Sequence, residues 1–513
     1  MKSKNYLIGL ILSAFIPIAI FLIVFMGPNI TQGRYTLLVS DLNGQYVNYF
    51  LYFKEAILSG DNLFYSFSML LGGDTFSLIG YYLLSPLNII LLLWPSSSIA
   101  SGIFTVIAIK VGLSGLTSYL YFSRKRENAF YPLIFSTTYA LGGYIFAYFM
   151  HVMWLDALYL LPLVILGLEL LVEKKNKTLY IISLALAIVS CYYTGYMIAG
   201  FSLVYFIYLQ ICDRQSAKDR FKAILTFSWT SILAAAMSAV TLFPTLLSQM
   251  GNRQAQTTVN NGILHSAADI FAKFFTGVFN DVEFSEGAPQ IYCGIFILFL
   301  LVLFFISIRE NTRQVIAGAF LLATLFACFS IGILDRVWHG MAMPNNFTHR
   351  YAFVFIFSCV VLAEECFSNR RLSITLPKLI ISDIIIAALA AWIFSSKPGE
   401  MSIILLAIDM AALIAISGLF YLYRKNTLNN RLYMLMLLLF IQGAQLILNG
   451  KVYTELHTYD DHSTEGFYSA TKPIIEEVQS MDDGFYRLEK TYHNSQNDAM
   501  MLSFNGLSHF SSA

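Results

Sequence analysis

Apolar runs long enough to cross a bilayer alternate along this chain with short basic clusters, and that alternation predicts its architecture. The first run, residues 6–26, is interrupted only by small or weakly polar residues and Pro17. About 20 apolar residues suffice for one crossing. Lys2 and Lys4 precede the run, and cytoplasmic flanks are the ones that carry excess Lys and Arg. The N-terminus is therefore expected in the cytoplasm, with Asp41 outside and close to the membrane. Twelve further runs follow, at 99–122, 129–149, 157–172, 179–193, 197–212, 223–243, 291–308, 315–334, 351–367, 379–395, 401–423 and 432–448. In that parity the clusters Arg124-Lys125-Arg126, Lys174/Lys175/Lys177, Arg214/Lys218/Arg220/Lys222, Arg309/Arg313, Arg370/Arg371/Lys378 and Arg424/Lys425 all fall inside.

One apolar stretch, 76–94, does not fit as a crossing. Ser85, Pro86 and Asn88 break its middle, and counting it would turn Arg124-Lys125-Arg126 outward, against the positive-inside rule. It is predicted to be a re-entrant or surface-lying hairpin. Before it, Tyr46, Tyr49, Phe50, Phe53 and Ile57 recur at helical spacing, so 40–59 is expected to lie along the outer surface. Gly72-Gly73 beside Asp74 permits a tight turn. The division that results is a membrane domain, 1–448, with outer loops at 28–98, 245–290 and 335–350, followed by a polar extracytoplasmic segment, 449–513. That segment reads as small and α/β, helix-like over 469–481 and strand-like over 485–492, joined by Asp482-Asp483-Gly484. A unit of about 65 residues barely holds its own core. It is expected either to lean on the membrane part or to begin a longer soluble domain.

Composition agrees. Hydrophobic residues make up 57% of the 513, charged residues only 12%, about half the usual share of a soluble chain, and mean hydropathy is +0.65. This is an α-helical polytopic membrane protein of about thirteen spans. A net charge of +1 gives no support to nucleic-acid binding. The six cysteines fall in or beside apolar runs, which excludes a disulfide-stapled ectodomain and a thiolate metal cluster by spacing. No Walker A, HExxH or nucleophile-elbow pattern is present.

The candidate chemistry gathers on the outer side. Asp41 stands among Gln45, Tyr46 and Asn48 in S-D-L-N-G-Q-Y, where a carboxylate can act on something embedded in the outer leaflet. The plainer reading is a helix-capping Asp. The turn His151-Val152-Met153-Trp154-Leu155-Asp156 puts an imidazole and a carboxylate at one membrane boundary, either as a site or as an interfacial belt with a capping Asp. Asp156 must sit at the interface or face a polar cavity, because a charge at the bilayer centre is costly. The loop 245–290, with Arg253, Lys273, Asp281, Glu283 and Glu286, is long enough for a lid or docking element. In M-P-N-N-F-T-H-R-Y, Arg350 follows His349, Asn346 and Asn345 at the end of a span. Its guanidinium can grip a lipid phosphate at two points or merely snorkel to headgroups.

The motifs S-D-L-N-G-Q-Y, G-G-D-T-F, Y-L-L-S-P-L-N, M-W-L-D-A, Y-Y-T-G-Y-M, L-F-P-T and P-N-N-F-T-H-R-Y, in this order, resemble the YfhO family of bacterial membrane proteins, whose members usually continue into a longer outer-face domain and a final span. The resemblance implies a Gram-positive plasma-membrane protein with the multispan fold of C-type (GT-C) glycosyltransferases. Such enzymes take a sugar from a polyprenyl-phosphate carrier outside the cell, here for a cell-envelope polymer, with lipoteichoic acid the leading case. Asp41 occupies the place of the family's general base. Arg350, His349, Asn346, Asp156, His151, Gln45, Tyr46 and Asp74 are the candidate substrate-binding residues. Relatives often carry adjacent acidic residues at the first position, whereas Asp41 stands alone, which argues against a bound divalent metal; no metal ligands are assigned. Two other classes stay open. A transporter or flippase of lipid-linked glycans would call for internal repeats and charges at mid-membrane depth, but Lys110, Asp383 and Asp409 are scattered. A non-catalytic envelope-assembly scaffold is the other.

Overall fold

The computed structural model describes residues 2–31, 37–124, 128–174, 176–251, 261–279, 287–307, 312–342, 344, 346–368, 375–425, 430–456 and 463–510. Asn345, Lys125, Arg126, Lys175, Arg253, Asp281, Glu283, Glu286, Arg309, Arg370 and Arg371 lie outside the described residues.

Each of the thirteen apolar runs contains helix among the described residues. Among the described residues, eight helices are long and apolar enough to cross a membrane, rising to ten if two sharply bent pairs each count as one span. The remaining runs are shorter helices or are broken, as in Thr178–Ser190, Ile295–Ile306, Ala352–Ser368 and the pair Pro132–Ala140 and Gly143–Tyr148. That last break has a packing cause. The N–H of Gly143 turns away from its own helix to donate to the carbonyl of Tyr292 at 2.8 Å. A Cβ on Gly143 would sit 3.1 Å from the Tyr292 backbone nitrogen. Small residues likewise let the first helix, Lys2–Thr31, lie against Ile99–Ser123, where a Cβ on Gly115 would fall 2.1 Å from the Ser13 carbonyl oxygen.

The stretch expected to be a hairpin folds as two short helical pieces, Phe76–Tyr82 and Pro86–Leu93, bent by 98°. Asp74 begins it, accepting from the Phe76 and Ser77 backbone N–H groups at 2.9 and 3.4 Å. Ser85 anchors its corner by donating to Asp156 at 2.8 Å. Just before lies the short antiparallel pair Tyr65–Ser66 and Gly73–Asp74.

In the polar C-terminal segment, helices Ser463–Ser480 and Asp498–Leu502 form, but 485–492 forms no strand. Among the described residues its alternation finds no strand to pair with. The Leu488 N–H donates to the Asn505 carbonyl at 2.9 Å. The segment leans on the loop that carries Asp41. Asn48 donates to Ser495 at 2.8 Å, Tyr49 to the Phe510 carbonyl at 2.5 Å, and Thr464 to Asn43 at 2.6 Å. Arg487 reaches the carbonyls of Leu70 and Leu71. From the loop 245–290 the described residues include helix Ala267–Ala272, capped by Ser266 and Asp269, and a buried Lys273 whose ammonium donates to the Val278 carbonyl.

Candidate functional site

Residue 41 enters a single π-turn, Leu42–Tyr46, a rare local geometry that recurs at functional sites. The wider turn swings the residue five positions on back over the first, so Tyr46 donates to Asp41 Oδ2 at 3.3 Å and Gln45 to Oδ1 at 3.5 Å. Ser40, immediately before, is held at φ 46°, a left-handed conformation that costs a non-glycine residue roughly 1–2 kcal/mol. Asp41 does not cap the helix that follows. It is half-buried with long hydrogen bonds, and burial raises its pKa above the ordinary value, while the Tyr46 hydroxyl and the charge of Arg350 pull it down.

The Tyr46 hydroxyl also meets His151 Nδ1 at 2.9 Å. That imidazole is stacked on Trp154, ring centres 3.9 Å apart, with Phe347 edge-on at 4.4 Å. Burial and the nearby Arg350 charge keep His151 neutral, and its Nε2 has no hydrogen-bond partner among the described residues. If His151 Nδ1 carries the proton, it donates to Tyr46, and Tyr46 donates on to Asp41.

Arg350 completes the group. Its guanidinium lies over the rings of Trp154 and Tyr193, 4.8 and 5.3 Å from their centres. Its N–H groups reach the Phe347 carbonyl at 3.0 Å, the Tyr193 hydroxyl at 3.2 Å and the Asn346 carbonyl at 3.2 Å. Those carbonyls belong to a loop in which Asn346, Phe347 and His349 all have positive φ, so the arginine fork clamps a strained turn. Asp41, Gln45, Tyr46, His151, Asn346 and Arg350 therefore converge at one end of the bundle, from turns far apart in the chain.

Three candidates stand elsewhere. Asp74 is used at the start of the hairpin. Asp156, 1% exposed, is saturated. Lys110 Nζ sits 2.8 Å from Oδ2, and Ser85 and Tyr159 donate to Oδ1 at 2.8 and 2.6 Å. His349 turns from Arg350 toward Asp335, its Nδ1 2.9 Å from Oδ1, where Tyr351 also donates at 2.9 Å and His339 Nδ1 lies 3.4 Å from Oδ2. Burial opposes the charge of Asp335, but the bonds from His339 and His349 outweigh it and hold the carboxyl well below the usual range. His265 packs edge-on to His349, ring centres 4.9 Å apart.

Of the rings that cradle Arg350, Trp154 entered the sequence reading only as part of the boundary turn 151–156, and Tyr193 was not proposed for the site, nor was Asp335. The isolated Lys110 inside a span was the available signal for Asp156, because an intramembrane charge needs a partner. Among the described residues, no group of three or more His, Cys, Asp or Glu side chains is arranged to hold a metal ion.

A helical, multi-pass membrane protein whose polar side chains converge at one end of the bundle is thus the class that fold and site define. The chain belongs to the family described as bacterial membrane protein YfhO, whose profile matches residues 13–513. One curated relative is the "Uncharacterized protein YfhO" of Bacillus subtilis (strain 168), 23% identical over 382 residues, 70% of this chain and 41% of the relative. The chain spans less than half the length of that relative. Similar solved structures include ArnT from Cupriavidus metallidurans in the apo state, at 11% identity and a TM-score of 0.46, covering 98% of this chain and 85% of that one. Another is the Archaeoglobus fulgidus oligosaccharyltransferase in the apo form, at 12% identity and 0.44, covering 97% and 63%.

Proposed function

We propose that this chain is a GT-C-type glycosyltransferase of a bacterial plasma membrane, moving a sugar from a polyprenyl-phosphate carrier to a cell-envelope glycopolymer such as lipoteichoic acid. The observation that carries the reading is the half-buried, under-bonded carboxylate of Asp41 in the field of a ring-cradled Arg350. In the reaction, an acceptor hydroxyl oxygen attacks the anomeric carbon and its proton passes to Asp41. The bond from that carbon to the phosphate oxygen breaks, and its electron pair leaves with the polyprenyl phosphate. A positioned base contributes about 10²–10⁴-fold. Arg350 stabilises negative charge developing on the leaving phosphate, with Asn346 on the same turn. Tyr46 and Gln45 orient the carboxylate, and His151 fixes Tyr46. Asp156, His349 and Asp74 support the turns that present these groups.

This reading places the Asp41 end outside the cell, the N-terminus inside and the segment after residue 449 outside. Membranes holding the full chain should transfer radiolabelled sugar from a polyprenyl-phosphate donor to purified envelope polymer. In intact cells, Ser469→Cys should react with an impermeant thiol reagent and Lys218→Cys should not. No transfer over membranes lacking the chain would remove the enzymatic reading, and the reverse labelling pattern would remove the placement of Asp41 outside.

A further inference from the structure

At the end of the bundle away from Asp41, a groove of ≈ 680 Å³ opens between the helices Tyr192–Cys212, Ala217–Met237 and Thr312–Ser330. The helix Tyr192–Cys212 connects the two ends. Tyr193 near its start bonds Arg350, and Gln210 near its finish lines the groove, about 25 Å of helix away. An apolar wall is ordinary where a helical protein faces lipid. The polar groups set into this one are not.

Gln210 is only 9% exposed, yet both its amide nitrogen and its amide oxygen lack a hydrogen-bond partner among the described residues. Buried amides are nearly always satisfied, and leaving one unpaired is costly. Arg220 and Arg313, from two different helices, line the same groove. Both are exposed, and neither faces a carboxylate partner among the described residues. The floor is the stacked pair Phe206 and Phe227, ring centres 4.5 Å apart and nearly parallel, with Ile224 beside them.

We propose that this groove binds one anionic glycerophospholipid with a hydroxyl-bearing headgroup, of the phosphatidylglycerol type. The two guanidiniums take the phosphate. The Gln210 amide needs an acceptor for its N–H and a donor for its oxygen, and a phosphate ester oxygen and a headgroup hydroxyl supply both. The acyl chains lie along the aromatic floor and Ile224. A zwitterionic headgroup would bring an ammonium toward two arginines and is disfavoured.

The test uses the full chain in phosphatidylcholine nanodiscs titrated with phosphatidylglycerol, with retained lipid counted by native mass spectrometry. One phosphatidylglycerol should be retained in preference to phosphatidylcholine. Arg220→Gln and Arg313→Gln should each weaken that retention about fivefold, and the pair together about thirtyfold. Arg220→Lys with Arg313→Lys, which keeps both charges and guards against a folding artefact, should preserve it. Gln210→Leu should erase the preference for phosphatidylglycerol over phosphatidylmethanol, which lacks the headgroup hydroxyl. Equal retention of phosphatidylglycerol and phosphatidylcholine by the unaltered chain would overturn the proposal. Unchanged retention in the double glutamine variant would do the same.

Discussion

Among the aspartates with a cation nearby, Asp156 and Asp41 have surroundings that could hardly differ more. Asp156 is sealed. Lys110, Ser85 and Tyr159 approach it within 2.6–2.8 Å, and it ties the corner of the bent segment 76–93 to two long helices. Asp41 is half open. Its two nearest donors stand at 3.3 and 3.5 Å, and Arg350 acts on it through space while bonding to its own loop. A carboxylate whose acceptor sites are filled at short range holds a fold together. One with slack and a raised pKa can take a proton. Spacing made these two residues look alike, each readable as a site carboxylate or a helix cap, and only the third dimension separates them.

The sharpest way to break the contrast is Asp156→Ala. It leaves Lys110 charged and 1% exposed with no partner, and breaking a buried pair from one side costs about 3–5 kcal/mol. Yield and the thermal unfolding midpoint should both fall, and Lys110→Met with Asp156→Leu should recover most of the loss. A stable Asp156→Ala protein with transfer abolished would instead make Asp156 part of the site.

Next in size is Arg350→Lys. A lysine cannot hold the Phe347 and Asn346 carbonyls and the Tyr193 hydroxyl at once. The strained turn should relax and the charge shift away from the phosphate. Turnover should fall about 10–100-fold, the scale of one charge-assisted hydrogen bond. The loss should appear in kcat as well as in donor KM. A snorkelling arginine would leave the lysine variant near normal.

The smallest effect is on pH. Burial raises the pKa of Asp41, and the Tyr46 hydrogen bond lowers it. A base must be deprotonated to act, so kcat/KM should rise with pH through a pKa above the ordinary aspartate value. Tyr46→Phe removes a bond to the charged form, so its acid limb should move to still higher pH. An unmoved limb would mean that Tyr46 does not touch the catalytic carboxylate.

Much of the frame was legible because hydropathy and basic clusters are local signals. The break in 76–94 was legible from Ser85, Pro86 and Asn88, and Ser85-Pro86 marks the corner where the chain bends by 98°. The size of the C-terminal segment left open whether it leans on the membrane part or begins a longer domain, and it does bond to Asn43, Asn48 and Tyr49. Pairings across the bundle were not legible. Nothing local says that His349 faces Asp335 and not Asp41, because that depends on three positive-φ residues in one turn. Nor does anything local set the Trp154 and Tyr193 rings around Arg350. The alternation at 485–492 read as a strand, but a strand needs a neighbour, and none among the described residues pairs with it.

The account turns on Asp41 as the proton acceptor, and the most direct measurement is donor-sugar turnover by purified Asp41→Asn protein, with its unfolding midpoint read alongside. Asparagine keeps the shape and can still bond Tyr46 but cannot take the proton. Turnover should fall by about 10²–10⁴-fold while the midpoint stays near that of the unaltered chain. A variant that keeps more than about a tenth of turnover, at unchanged stability, would contradict the account.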